Sequence, residues 1–320
     1  MAVIVTFGEL LAEFVAEEVG KGFLDPSTFA GPFPSGAPAI FADQAARMGA
    51  TVAYIGHVGV DAFGAGIIRR LSADGVDVTN IIQHTERPTG TAFVAYDDDG
   101  SRSYVFNIAA SASGLLGASS VPKGILRDAR YLHVMGSTLN SEGAIAALQV
   151  LLDQAREFNV RISFDPNIRT EMLSFEPMVI ALNNVFDRCH VFLPSEADLE
   201  FFFPNLTSEA ALSRVFEKLN IESVVLKRGA LGSIYVDRSS RYEASPLPVI
   251  ELDPTGAGDC FGGTFVGALA LGNAPVDALG LANAAGALAV TRRGPMEGNS
   301  TPMQIDNFLK EHSVHVEHIA

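Results

Sequence analysis

The sequence predicts an α/β fold: a mostly parallel central sheet with helices on both faces, and a small β-sheet beside it. Three observations carry this. Short β-rich runs alternate with stretches of helical period from 131 to 227, the rhythm of strand–helix–strand units. Those runs are apolar throughout rather than alternating, as strands covered on both faces are. Two β-rich segments, around 11–16 and 91–106, stand outside that rhythm and are assigned to the small sheet, placed as a lid over the site.

Taken in order, residues 3–7 make a first buried strand, and 10–15 make a second apolar run interrupted by Glu13, with Gly8-Glu9 between them. Glu9 and Glu13 in this context fit either a solvated strand edge or a face turned toward a polar ligand. Residues 31–36 show no regular period, after which Gly36-Ala37 opens a helix over 39–48. A strand at 52–55, a glycine-rich connection over 56–64, a helix at 67–72 and a turn at 73–75 follow. Residues 90–96 and 103–106 form a hairpin about the turn Asp97-Asp98-Asp99-Gly100. Beyond 112 the strands fall at 131–134, 160–164, 191–193 and 224–227, and the helices at 143–158, around 178–183 and at 209–219. No repeat of 20 to 50 residues interrupts this order, so residues 1–320 read as one domain with a lid built from about 10–34 and 88–112.

Composition narrows the function. Hydrophobic residues make up 48% and charged residues 18%, enough to bury a large core. Lys plus Arg number 22 against 37 Asp plus Glu, a net charge of −15, which disfavours nucleic acid or an anionic membrane and favours a small-molecule substrate. Cys189 and Cys260 are too few for a disulfide scaffold and suit a reducing cytoplasm. The N-terminal residues lack a basic leader, and the longest uncharged stretch, 260–276, contains Gly, Asn and Pro, so neither a signal peptide nor a membrane span is expected.

The stretch richest in chemistry is Asp253-Pro254-Thr255-Gly256-Ala257-Gly258-Asp259, which leads from a short apolar approach at 249–252 into a small-residue helix. Gly256 and Gly258 let backbone amides converge at a helix N-terminus, where the dipole adds partial positive charge, so the turn suits an anion such as a transferring phosphoryl group. Asp259 fits a first-turn helix cap. Beside an anion nest, a carboxylate also suits proton removal from an attacking hydroxyl, and that base role is the expected one.

The other chemistry-bearing residues follow strands. Asp165-Pro166-Asn167-x-Arg169 places an acid, an amide and a planar donor fork after the 160–164 strand; it suits phosphate or sugar oxygens, and equally a surface turn. Lys227-Arg228-Gly229-Ala230-Leu231-Gly232 leaves room for a flat nucleobase, and is equally an ordinary tight turn. Gly8-Glu9, Gly136 and Ser195-Glu196 occupy corresponding strand ends, where ligands of open α/β sheets bind. No Gly-x-x-x-x-Gly-Lys-Ser/Thr loop, dinucleotide fingerprint or zinc spacing is present, and His312, His315 and His318 read as a solvated tail.

These motifs closely resemble the ribokinase-like (phosphofructokinase B-type) carbohydrate kinases. Residues 253–259 are similar to the C-terminal signature of that family and Gly59-Val60-Asp61-Ala62-Phe63-Gly64 to part of its N-terminal one, and the similarity runs on to Thr301-Pro302. The resemblance implies ATP and Mg²⁺ as cofactors, a sugar hydroxymethyl group as acceptor, and a homodimer through the lid. Asp259 would be the base, Gly256, Ala257 and Gly258 the anion hole, and Arg169 a catalytic contact. On the sugar side it implies Glu9, Glu13, Gly36, Ala37, Tyr104, Phe106, Asn107, Arg169 and Asp259. On the nucleotide side it implies Ser195, Lys227, Gly229, Gly232, Gly256, Gly258 and Asn283. Asp198 would serve Mg²⁺, and Asp253 and Thr255 match a monovalent-cation loop that holds K⁺ in some members.

Several positions depart from the pattern. Glu13 replaces the more usual Asp and reaches one methylene further, and Ser195-Glu196-Ala197-Asp198 stands where the family has Asn-x-x-Glu. Within the family, Gly8-Glu9-Leu10-Leu11, Ser35-Gly36-Ala37-Pro38-Ala39 and His133-x-x-Gly136 are similar to the fructokinase and 2-keto-3-deoxygluconate kinase branch. Ile40, Ile108 and Ser113 stand where that branch carries Asn, Arg and Asp, and the missing Arg points away from an acidic sugar. The expectation is an ATP-dependent kinase of fructose or tagatose. The alternatives are 2-keto-3-deoxygluconate kinase, ribose or nucleoside kinases, and a non-catalytic sugar sensor.

Overall fold

The computed structural model describes residues 3–98, 102–169, 173–312 and 314–319, so Asp99 and Gly100 of the expected hairpin turn lie outside the described residues. The first half runs β1 (Val3–Gly8), β2 (Leu11–Ala16), β3 (Phe29–Ser35), α1 (Ala37–Arg47), β4 (Thr51–Gly59), α2 (Ala62–Ala73), β5 (Val76–His84), β6 (Gly90–Tyr96), β7 (Arg102–Asn107), β8 (Tyr131–Met135) and α3 (Glu142–Glu157). The second runs β9 (Arg161–Asp165), α4 (Glu176–Phe186), β10 (Val191–Phe192), α5 (Glu196–Phe202), α6 (Ser208–Val215), β11 (Ser223–Lys227), β12 (Ser233–Asp237), β13 (Arg241–Ala244), α7 (Ala257–Leu271), α8 (Pro275–Ala289), α9 (Pro302–Glu311) and β14 (Val316–His318).

Ten strands form the large sheet, in the order β14-β13-β12-β11-β10-β9-β8-β1-β4-β5. Pairing is parallel from β11 through β5 and antiparallel from β11 to β14. Successive residues along the central strands feed opposite cores. Val5, Leu132 and Val224 pack with helices α3 to α6, whereas Ile4, Tyr131 and Val225 pack with α1, α2, α7 and α8. This two-sided burial explains why these strands read as continuous apolar runs. Because β1, β8, β9, β10 and β11 are mutually parallel, their C-terminal ends open on one edge of the sheet.

The small sheet has the order β3-β2-β6-β7, with β2 and β6 parallel and the outer pairs antiparallel. Its side chains alternate. Leu11, Glu13, Val94, Tyr96 and Tyr104 share the face turned to the large sheet's ligand edge, while Phe14, stacked on Phe93 at 5.1 Å, takes the other.

Several elements go beyond the sequence expectations. β3 occupies the stretch that showed no period; its glycine and prolines break the pattern, and it is an edge strand, where proline is tolerated. β4 continues to Gly59, through residues expected to be a loop, because glycines there pack tightly: a Cβ on Gly56 or Gly59 would collide with its neighbours. α2 starts at Ala62 rather than 67, since Asp61 caps it by accepting from the Gly64 amide at 2.8 Å. The edge strand β5 and the antiparallel extension β12–β14 were not expected, and of the three tail histidines His318 lies in a strand: β14 pairs with β13, and His318 packs edge-on to Tyr242 at 5.3 Å, while His315 and His318 stay exposed.

Candidate active site

The ligand edge gathers Glu9 after β1, Asp165 at the end of β9, Asn167 just beyond it, Lys227 at the end of β11, and the N-terminus of α7. The turn into α7 is held from several directions. Asp253, buried, accepts from the Thr255 amide at 2.9 Å and from the Tyr96 hydroxyl at 2.5 Å through Oδ1, and from the Gly294 amide at 2.9 Å through Oδ2. Gly256, the N-cap of α7, has φ of +79°, and a side chain there would strike the Pro295 carbonyl. The first-turn amides therefore point outward without intrahelical partners, and Lys227 Nζ lies against Gly258, 3.6 Å from where a Cβ would sit.

Asp259 stands in that first turn, 7% exposed, and its Oδ1 accepts from Asn167 Nδ2 at 3.1 Å. Burial pushes its pKa up to about 7; Asp165 and Glu9 add to the rise, while Lys227 and Arg169 oppose it. Such a carboxyl holds a proton weakly near neutrality, as a general base should. Asp165 is fully buried and ion-paired with Lys227, and burial lifts it to about 6. Burial works against the Lys227 ammonium, yet Asp165, Asp198 and Asp259 together hold its pKa above the ordinary value.

Under the small sheet, Glu13 is buried, with Oε2 accepting from Ser35 Oγ at 2.6 Å and Oε1 without a partner among the described residues. Burial lifts it to about 7. Glu9 is also buried and also raised by burial, but its Oε2 accepts from Thr138 Oγ1 at 2.8 Å, so part of its capacity is spent within the fold. Neither acid lies on a solvated strand edge. Gly36, with φ of +114°, starts α1 where a side chain would strike the Glu9 carbonyl, and Ala37 follows it half-buried. Arg169 sits 5.6 Å from the Tyr104 ring, which stacks on Phe106 at 5.3 Å. Asn107 is not brought to this site: it lies on the opposite face of the small sheet and donates to Thr91 Oγ1 at 3.0 Å.

Beyond Lys227, a cavity of about 670 Å³ is walled by Lys227, Gly229 and Gly232, by Pro246 to Val249, and by Asn283, Gly286 and Ala287 of α8, and it reaches Gly258 of the nest. Gly229 and Gly232 have positive φ, and the turn they make forms one wall. Ser195 bridges to Lys227 through the backbone and caps α5. Asp198 is spent on the fold. Its Oδ2 accepts from the Ser195 amide and hydroxyl at 2.8 and 2.7 Å, and its Oδ1 from the Ile168 amide at 3.0 Å.

The donor set nevertheless suits a hard cation, because Asp165 Oδ1 is buried and lacks a partner among the described residues. No cluster of three or more His, Cys, Asp or Glu side chains among those residues is arranged to hold a metal ion. Of Asp253 and Thr255, expected to form a cation loop, Asp253 holds the backbone of the nest and the Tyr96 hydroxyl, and Thr255 Oγ1 lies 3.4 Å from that same hydroxyl. Tyr96 and Thr138 were not singled out from sequence: Tyr96 arrives on β6 and Thr138 in the turn after β8, so only tertiary packing brings them here. Among the described residues no helix is long and apolar enough to cross a membrane.

Comparison with known proteins agrees with this fold. The family model described as pfkB family carbohydrate kinase matches residues 1–302. A fructokinase from Salmonella typhimurium is 30% identical over 280 residues, covering 85% of this chain and 90% of its own. A structure from E. coli, provisionally named ribokinase II and solved in complex with ATP and Mg²⁺, superposes with a TM-score of 0.92 at 42% identity, covering 98% of this chain and 100% of its own. Fructokinase from Vibrio cholerae O395, solved with fructose, ADP and calcium ion, gives a TM-score of 0.84 at 28% identity, covering 97% and 99% of the two chains.

Proposed function

The chain belongs to the pfkB family of carbohydrate kinases, and from that premise we propose that it transfers the γ-phosphoryl group of ATP to the terminal hydroxymethyl oxygen of a neutral ketohexose, fructose or tagatose. The observation that carries this is Asp259: a buried carboxyl, poised near neutrality, in the first turn of a helix whose N-terminal amides face the same space, Ala257's bonded at 3.4 Å to the Pro254 carbonyl.

In this reading the sugar lies between Glu13 and Asp259, under the small sheet acting as a lid. Asp259 removes the hydroxyl proton, Asn167 orients the carboxylate, and the amides of Gly256, Ala257 and Gly258 stabilise charge on the phosphoryl oxygens. Lys227 supplies positive charge beside Gly258, held in place by Asp165. Arg169 contacts sugar or phosphate from the lid side. The nucleotide occupies the cavity lined by Gly229, Gly232 and Asn283. Mg²⁺, bound with the nucleotide, would offset phosphate charge, and Asp165, whose buried Oδ1 is open, is the carboxylate that would hold it.

The sugar assignment follows from charge. Glu9 and Glu13 are two buried carboxyls on the sugar side, and they suit hydroxyl donors better than a substrate carboxylate. The bound fructose of the Vibrio cholerae neighbour supports the same class. Pairing of two copies through the small sheet belongs to the proposal as well. A coupled ADP-release assay across ketohexoses, ribose and 2-keto-3-deoxygluconate tests it. Fructose or tagatose should exceed the acid in kcat/KM by at least about tenfold. Preference for the acid would overturn the sugar assignment, and ADP release with none of them would favour a sensor.

A further inference from the structure

We propose that the nucleotide cavity accepts purine nucleotides by shape without distinguishing adenine from guanine or hypoxanthine, so that GTP and ITP serve as phosphoryl donors alongside ATP; this rests on the kinase reading above. The transfer itself is the same for each. The sugar oxygen forms the new bond to γ-phosphorus as the bridging oxygen leaves with the nucleoside diphosphate, and the hydroxyl proton passes to Asp259.

Telling adenine from guanine requires groups that read positions 1 and 6 of the ring, where one base presents an acceptor and a donor and the other the reverse. Three side chains in the lining carry polar groups: Lys227, Glu251 and Asn283. Lys227 belongs to the phosphate end, paired with Asp165 beside Gly258. Asn283 is the amide that could read both positions, but it is tethered to the fold at both ends, Nδ2 donating to the Ser245 carbonyl at 2.7 Å and Oδ1 accepting from Ser233 Oγ at 3.3 Å, which leaves it one donor and one acceptor fixed in direction. Glu251 is exposed at the rim and, as a carboxylate, offers acceptors alone. It would take the 6-amino group of adenine or the ring NH of guanine and hypoxanthine alike.

The backbone adds little discrimination. In Pro246-Leu247-Pro248-Val249 the two prolines have no N–H to give. The amides left at Leu247 and Val249 are donors, and against ring nitrogens 3 or 7, acceptors in every purine, they would bind without discrimination. On the opposite wall the Gly232 amide and carbonyl are bonded to Gly229 and Arg228 at 3.1 and 2.9 Å. Asn283, Gly286, Ala287 and Val290 recur at the spacing of one helix ridge, and the Val290 carbonyl is taken by the amides of Leu252 and Asp253 at 2.8 and 3.2 Å. What remains is a slot with small side chains on two walls, fitted to a flat bicyclic ring. Apolar sites of this kind reject a similar-shaped competitor only weakly, whereas sites with dedicated hydrogen-bond partners reject it strongly.

Isothermal titration calorimetry of the full chain with ADP, GDP, IDP and CDP in the presence of Mg²⁺ tests the proposal by binding alone. GDP and IDP should bind within about tenfold of ADP, and CDP more weakly than all three because its single ring fills less of the slot. GDP or IDP weaker than ADP by more than about tenfold overturns the proposal, and so does CDP binding as tightly as the purines. In Asn283→Ala the ratio of ADP to GDP affinity should stay constant within about threefold, and a larger change would mean that this amide reads the base. If the folded chain binds none of the four, the kinase reading fails and the proposal fails with it.

Discussion

Replacing Asp259 by Asn separates chemistry from stability, because the same burial that tunes the base also strains the fold. Its carboxyl moves from an ordinary 3.8 to about 7 in the folded chain. A folded pKa raised in this way gives stability that is complete below the unfolded value and is lost as pH rises toward 7. Roughly three units at about 1.36 kcal/mol each amount to about 4 kcal/mol of destabilisation by pH 8. Asn carries no charge and escapes that loss, although Asn167, Lys227 and Arg169 then face a neutral neighbour, which returns part of the gain. Thermal unfolding followed by circular dichroism should show Asp259→Asn more stable than wild type at pH 8 by at least about 3 °C in Tm, the advantage shrinking toward pH 4. The same variant should lose about 10² to 10⁴ in kcat. A variant that keeps more than about a tenth of wild-type kcat would sink the base role. One that is less stable than wild type at pH 8 would refute the burial argument.

Wild-type kcat/KM should rise with pH up to about 7 and then level, as Asp259 and Glu13 lose their protons; a flat profile between pH 5.5 and 8 contradicts this assignment. Glu13→Gln keeps an oxygen for Ser35 but weakens the unpartnered acceptor, so the sugar KM should rise about tenfold with the ATP KM unchanged; equal sugar KM values would place Glu13 outside the sugar site. Gly256→Ala forces a side chain onto a residue at φ +79° against the Pro295 carbonyl, and should cost about 1 to 3 kcal/mol in urea unfolding and lower kcat at least about tenfold. Wild-type behaviour in both would show that the nest does not need that backbone shape.

Much of this architecture was legible in the residues. Apolar runs at 131–134, 160–164 and 224–227 announced strands because both of their faces are buried, and nothing polar had to interrupt them. The glycines at 256 and 258 and the carboxyl at 259 announced an anion turn because their chemistry is local: a positive φ, a helix N-terminus and an acid within one turn of helix. The elements that escaped notice lie at edges. β3, β5 and β14 are short or mixed in polarity, and their neighbours, more than their own side chains, decide that they are strands.

The sequence by itself determined the class of fold, the nest and the acid beside it, since each depends on residues adjacent in the chain. Only the tertiary structure decided which side chains meet there. The register of β6 and β7 turned Tyr96 toward Asp253 and sent Asn107 to the far face, because in a strand one residue of shift exchanges the two sides. Contacts across long stretches of chain committed Asp198 and Asn283 to the fold and left Glu13 and Asp165 with open oxygens. A buried polar group takes whichever partner packing brings within reach, and that partner is not written next to it in the chain.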